Sequence, residues 1–224
     1  MPGRKTPLVI GEIYHVFNRG INRQPTFITK GDYLRAQVSI NFYRFLRPPT
    51  SLSKFLKLDN DRQEDMWKLL QQTKRSVEIL SYCLMPNHFH FLLKQIEENG
   101  ISKFMGNLQN SYTKYFNTKN DRDGSLFLDQ FKAVRVETDE QLIHLTRYIH
   151  LNPHTGYVIK SLEELGKYPW SSFPDFLKEE GQFVDVNFAL SFFGSSEKYK
   201  KFVFDQADYQ RQLKEIEYLI LEHP

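Results

Sequence analysis

Tyr82-Cys83-Leu84-Met85-Pro86-Asn87-His88-Phe89-His90-Phe91-Leu92-Leu93-Lys94 is the stretch that decides the fold. From Phe89 to Leu93 it is apolar and aromatic, which suits a strand. Pro86-Asn87 reads as a tight turn, so residues 77–85 and 88–94 are expected to pair as an antiparallel hairpin. Alternate residues of a strand share a face. His88 and His90 then stand side by side, with Phe89 and Phe91 turned the other way. Two neighbouring imidazoles on a rigid strand make half of a metal site. An ordinary polar face fits the same two residues. Zinc would need three or four ligands, and the chain offers one cysteine, Cys83, with no HExxH or CxxC.

The totals around this hairpin are those of a globular chain. At 224 residues there is room for one large domain, or one domain with an appendage. Hydrophobic residues make up 40% and charged residues 25%, so a buried core and a charged surface are both available. A formal charge of +3 tolerates a nucleic-acid partner without demanding one. A single cysteine excludes an internal disulfide and fits a reducing cytoplasm. Met1 to Pro7 leads into no long apolar run, so no secretory signal is expected, and no stretch is apolar enough to span a bilayer.

Upstream, Ile13, Tyr14, Val16 and Phe17 predict a strand with Asn18-Arg19-Gly20 as its exit turn. Thr29-Lys30-Gly31-Asp32 starts a helix whose apolar spacing runs from Tyr33 to Phe45, with Pro48-Pro49 as its stop. Residues 50–72 read as a surface excursion. Downstream, 101–116 is expected to be a helix. Leu126-Phe127-Leu128 and residues 131–136 are expected to be a strand broken near Asp129-Gln130. Thr138-Asp139-Glu140 opens a last helix from Gln141 to about Leu151. It is expected to stop before Pro153, because the residue before a proline resists helical geometry.

On that last helix Tyr148 and Asn152 stand at i and i+4, on one face. A tyrosine can be a covalent nucleophile, and an amide oxygen can serve as a third ligand for a hard cation. Tyr112 and Tyr115 compete for the same role. Their i+4 neighbours, Phe116 and Lys119, cannot complete a metal site.

Five segments stand in a telling order: Tyr14-His15-Val16-Phe17-Asn18-Arg19-Gly20, Leu84-Met85-Pro86-Asn87-His88-Phe89-His90, Tyr112-Thr113-Lys114-Tyr115-Phe116-Asn117, Leu126-Phe127-Leu128-Asp129-Gln130-Phe131-Lys132 and Arg147-Tyr148-Ile149-His150-Leu151-Asn152-Pro153. Together they resemble the IS200-like, single-tyrosine (HUH, Y1) transposase family, nearest its REP-associated branch. The resemblance runs from about Gly11 to Val158, and Tyr168-Pro169-Trp170-Ser171-Ser172 extends it. It implies an α+β fold, a central antiparallel sheet backed by helices of the ferredoxin-like HUH nuclease type, with a helical C-terminal extension. The implied domain spans residues 8–158, with a surface insertion at 48–75 and an extension at 159–224 packed on the core. It further implies a metal-dependent enzyme that nicks and rejoins single-stranded DNA, hairpin or palindromic, through a 5′-phosphotyrosine.

Carried over residue by residue, the resemblance puts the metal pair on His88 and His90, the third ligand on Asn152 and the nucleophile on Tyr148. Mg²⁺ or Mn²⁺ is the implied ion. Arg19, Arg23, Lys114, Lys132, Arg135 and Arg147 lie near the matching motifs and are the candidates for phosphate contact. Phe17, Phe27 and Tyr115 are the candidates for base stacking. His144 and Lys114 are candidate general bases. The expected setting is a cytoplasmic monomer or homodimer without a membrane. A DNA-binding protein of the same fold that no longer cuts is the alternative.

Overall fold

The structure is a computed structural model and describes residues 7–205 and 207. Ile13–Arg19 (β1), Val77–Met85 (β2), His88–Gln95 (β3) and Lys132–Val136 (β4) form one four-stranded antiparallel sheet in the order β2-β3-β1-β4. The helices are Lys30–Tyr43 (α1), Leu52–Phe55 (α2), Asn60–Gln72 (α3), Gly100–Asn120 (α4), Asp139–Thr155 (α5), Phe173–Lys178 (α6), Val186–Leu190 (α7) and Ser196–Phe204 (α8). The architecture is α+β, as the resemblance implies. Among the described residues no helix is long and apolar enough to cross a membrane.

Two compact units emerge. The first comprises the described parts of Met1–Glu78, with Pro86–His88 and Leu93–Arg135. Here α1 begins with a capping box: Thr29 accepts from the Asp32 amide, and Asp32 accepts from the Thr29 amide at 2.8 Å. Helix α1 packs on α4, and the buried Asp32 carboxylate also takes bonds from Lys119 (2.7 Å) and Tyr115 (3.0 Å). The helix ends at Tyr43, ahead of the two prolines. Its exit turns into an extended segment, with Phe45 bridged to Arg75 and Ser76 donating to the Arg44 carbonyl.

The excursion at 50–72 folds as α2 and α3. Leu52, Phe55 and Leu70 are buried, Trp67 meets Phe45 edge-on, and the Leu52 amide donates to the Tyr43 hydroxyl. Its polar spacing hid three core contacts. The strand expected at 126–128 is reduced to one bridge, Phe127 to Gly20. Leu128 donates to the Arg19 carbonyl, and the Asn18 side chain caps the Leu128 carbonyl, so the chain peels away before β4.

The second unit comprises Ile79–Met85, Phe89–Leu92 and the described part of Val136–Pro224. Strand β2 is the sheet's edge, and Tyr168–Ser172 covers it. Leu84 donates to the Trp170 carbonyl, Ser172 to the Tyr82 carbonyl, and the Tyr168 hydroxyl to the Leu84 carbonyl. Covering an edge removes its free backbone groups as a template for aggregation. Ser195 caps α8 by accepting from the Lys198 amide. The sequence also spaces Leu213, Ile216, Leu219 and Ile220 as one amphipathic face, and these four lie outside the described residues.

Helix α5 starts where expected, with Thr138 accepting from Gln141. It does not stop before Pro153 but runs on to Thr155. Proline removes one helical donor and disfavours helical geometry in the residue before it. Burial outweighs that preference: every residue from Ile149 to Thr155 is buried. The Thr155 hydroxyl and the Gly156 amide also close the last turn onto the carbonyls of Leu151 and Asn152.

Candidate active site

The turn into β3 is held from the first strand's exit loop. Gly20 donates to the Asn87 carbonyl at 2.8 Å, and Thr26 and Phe27 both donate to the Pro86 carbonyl. Gly20 is required there, since a Cβ would press on the Gln24 carbonyl and lie 2.9 Å from Thr26 Cγ2. The Asn87 side chain donates through Nδ2 to the Arg23 carbonyl at 3.1 Å. That orients Oδ1 as the acceptor facing His88 Nδ1, 2.7 Å away. The network therefore assigns the proton to Nδ1 and makes Nε2 the lone-pair nitrogen of His88. A second-side hydrogen bond of this kind is how protein metal ligands are commonly oriented.

His90 follows two residues later on the same strand, buried at 7% exposure. In the same unit, the Tyr148 ring meets the His90 ring edge-on, with centroids 5.5 Å apart and planes at 88°. Tyr148 is half-buried on α5. One turn on, Asn152 is fully buried, and its Nδ2 donates to the Tyr148 carbonyl at 2.9 Å. Among the described residues its buried Oδ1 has no hydrogen-bond partner. An orphaned buried acceptor costs about 1–3 kcal/mol, so it calls for an explanation. An imidazole and an amide oxygen, the donor types that His90 and Asn152 bring within this unit, suit a divalent cation. Among the described residues no three His, Cys, Asp or Glu side chains gather at one point, so the donor set in view is mixed.

The competing tyrosines are tied elsewhere. Tyr112 is buried and donates to the Thr26 carbonyl at 2.7 Å, and burial pushes its pKa well above the ordinary phenol range. Tyr115 donates to Asp32, and burial followed by that carboxylate raises its pKa too. His144, the candidate base one turn before Tyr148, accepts from Arg147 at 2.6 Å and lies 4.0 Å from Glu140.

The six basic candidates divide. Arg19, Arg23, Lys114 and Lys132 are exposed. Lys114 lines an open polar groove of about 590 Å³ with Asn110, Thr113, Asn117 and Arg122. Lys132 lies 6.0 Å from the ring of half-buried Phe17. Arg135 is exposed but paired with Glu12 at 2.9 Å. Arg147 is turned onto α8, 4.2 Å above the Phe202 ring and 3.4 Å from its carbonyl. Phe27, expected to stack on bases, is a core residue instead, buried between Tyr33 and Tyr112.

Two residues that shape this region carry little sequence signal. Asn87 is distinguished only by standing between Pro86 and His88. His150, two residues after Tyr148, is fully buried, and that burial pulls its pKa down to about 3.

Residues 53–152 match the family model described as transposase, IS200 like, a span that ends at Asn152. No curated protein matches the sequence. Among solved structures, a REP-associated tyrosine transposase bound to a REP hairpin is similar, with a TM-score of 0.54 and 15% identity over 80% of this chain and 86% of that one. A Deinococcus radiodurans R1 protein described as a transposase aligns over 66% of this chain and 95% of its own, at 15% identity and a TM-score of 0.34, too low to add to the fold assignment. The family match over residues 53–152 and the architecture point the same way: that stretch is similar to the IS200-like transposases, and the fold is like that of a REP-associated tyrosine transposase.

Proposed function

We propose that this chain is a transposase that nicks and rejoins single-stranded DNA by transesterification at Tyr148, with His88, His90 and Asn152 holding a divalent cation. The observation that carries the reading is the pairing of Tyr148, edge-on to His90, with the orphaned Oδ1 of Asn152 one helical turn away. Asn87 orients His88 through Nδ1, and Asn152 presents an oxygen that no other described residue bonds. Mg²⁺ or Mn²⁺, when bound, supplies positive charge that polarises a phosphate oxygen.

A phenol with a pKa of about 10 is only about one part in a thousand ionised at pH 7. The nucleophile therefore has to surrender its proton as the bond forms. The Tyr148 oxygen attacks phosphorus, the bond from phosphorus to the 3′ oxygen breaks, and the leaving oxygen takes up a proton as a 3′ hydroxyl. The 5′ end remains joined to Tyr148. A 3′ hydroxyl can then reverse the step and expel the phenol. Bond count is conserved throughout, so rejoining needs no ATP. Exposed Arg19, Arg23, Lys114 and Lys132 supply the cationic surface that single strands require. The hairpin carried by the similar transposase makes hairpin DNA the substrate class to try first.

The test is incubation of labelled single-stranded hairpins with Mn²⁺, followed by a denaturing gel. The native chain should give a shifted covalent band, and Tyr148→Phe should bind the hairpin without one. A band of undiminished yield from Tyr148→Phe removes Tyr148 from the mechanism. Hairpin binding by the native chain with no band at all supports the non-cutting DNA-binding alternative.

A further inference from the structure

Behind the tyrosine helix lies a buried hydrogen-bonded chain that neither the family match nor the proposed chemistry uses. His150 is fully buried, and both ring nitrogens are engaged: Nδ1 with the Tyr199 hydroxyl at 2.6 Å, and Nε2 with Ser172 Oγ at 2.7 Å. Ser172 Oγ also accepts from the Tyr82 amide at 2.9 Å and reaches the Tyr82 carbonyl at 3.3 Å. One arrangement satisfies every group. Tyr199 donates to Nδ1, Nε2–H donates to Ser172, and Ser172 donates to Tyr82. The chain thus runs from α8, through α5, to β2, the strand that precedes the histidine strand in the hairpin.

At 3.6 residues per turn, His150 points about 200° around the helix from Tyr148, whereas Asn152 lies only about 40° from it. His150 grips the back of the helix whose front carries the phenol and the amide. The grip falls where the helix is weakest, because Pro153 offers no N–H to the Ile149 carbonyl. A side-chain tip about 6 Å from the axis moves about 1 Å for each 10° of rotation. Misplacement of about 1 Å is enough to cost on the order of 100-fold in rate.

We propose that His150, Ser172 and Tyr199 are positioning residues that set the rotation of α5 and so aim Tyr148 and Asn152. They do not touch substrate. The inference rests on Tyr148 being the nucleophile only for its effect on rate; the aiming of the ring can be read without any reaction.

Two measurements on the full chain test it, with Tyr199→Phe and Ser172→Ala as variants. Phe176→Leu is the control, because Phe176 packs on the His150 ring at 4.7 Å without bonding its nitrogens. With 3-fluorotyrosine incorporated at position 148, the ¹⁹F resonance should be single and sharp in the native chain and in Phe176→Leu. It should broaden or split in Tyr199→Phe and Ser172→Ala at temperatures where urea curves show all of them folded. In single-turnover reactions, the two variants should form the covalent band 10- to 100-fold more slowly with hairpin affinity within twofold, and Phe176→Leu should react at the native rate. A native-like resonance in both variants overturns the proposal, as does an equal loss of rate in Phe176→Leu. If no chain forms a covalent band while the resonance still splits as stated, the proposed chemistry fails and the positioning role stands.

Discussion

Replacing Asn152 by Leu separates a structural amide from a ligand. The substitution keeps the branch at Cγ and removes both polar atoms. Losing the orphaned Oδ1 relieves about 2 kcal/mol. Losing the 2.9 Å bond to the Tyr148 carbonyl costs about 1 kcal/mol, and the bulkier methyl groups cost about 1 kcal/mol more. Metal-free Asn152→Leu should therefore unfold in urea within about 1 kcal/mol of the native chain, although the site is fully buried. Cation binding should break that equality. At 100 times its dissociation constant, Mn²⁺ stabilises the native fold by about 2.7 kcal/mol. For a chain of this size that is roughly 5–11 °C in Tm. Asn152→Leu, with one ligand of three removed, should show less than half that shift. A metal-free loss above about 2 kcal/mol would mean that Oδ1 has a structural partner after all. An unchanged Mn²⁺ shift would mean that it is no ligand. Either result refutes the reasoning.

Two further outcomes concern the first unit. Asp32→Ala strands the Lys119 ammonium, the Tyr115 hydroxyl and two amides, so urea unfolding should show a loss of about 3 kcal/mol. Burial raises the Asp32 pKa, but Lys119 and the amides of Thr29 and Ile28 outweigh it and leave the carboxyl below its usual value. Its folded pKa is thus depressed, and its contribution is present above the unfolded pKa of about 4. That contribution should disappear as pH falls through the folded value, a limb of the pH–stability curve that Asp32→Ala should lack. Gly100→Ala drives a Cβ into the Ser76 carbonyl, which also accepts from Ile96 and Glu97. Thermal and urea unfolding should report a loss of about 1–3 kcal/mol, and a neutral result would show that this close approach relaxes freely.

Some elements could be read locally because their causes are local. The hairpin rests on strand-forming side chains on either side of Pro86-Asn87, and its bounds agree with the reading to within a residue. The starts of α1, α5 and α8 rest on a hydroxyl and a backbone amide three residues apart. The errors share the opposite cause. Pro153 was expected to end α5 and does not, because seven consecutive buried residues hold the helix together around it. Phe27 was expected at a DNA surface and lies between two tyrosines far along the chain or on a neighbouring helix. Arg147 resembles a phosphate ligand until Phe202, 55 residues on, is seen beneath it.

The candidate site divides along the same line. Spacing alone could place His88 beside His90 on a strand, and Tyr148 one turn from Asn152 on a helix, because each pair is set by the repeat of its own element. Which tyrosine meets a histidine was beyond local reading. It depends on α5 bringing Tyr148 to His90 while Tyr112 and Tyr115 bond to Thr26 and Asp32. Nor could any spacing reveal an amide oxygen left without a partner, or a buried imidazole linking Tyr199 to Ser172. Such features arise from groups tens of residues apart meeting in a dry interior, where every polar atom must find a partner or bear the cost of having none.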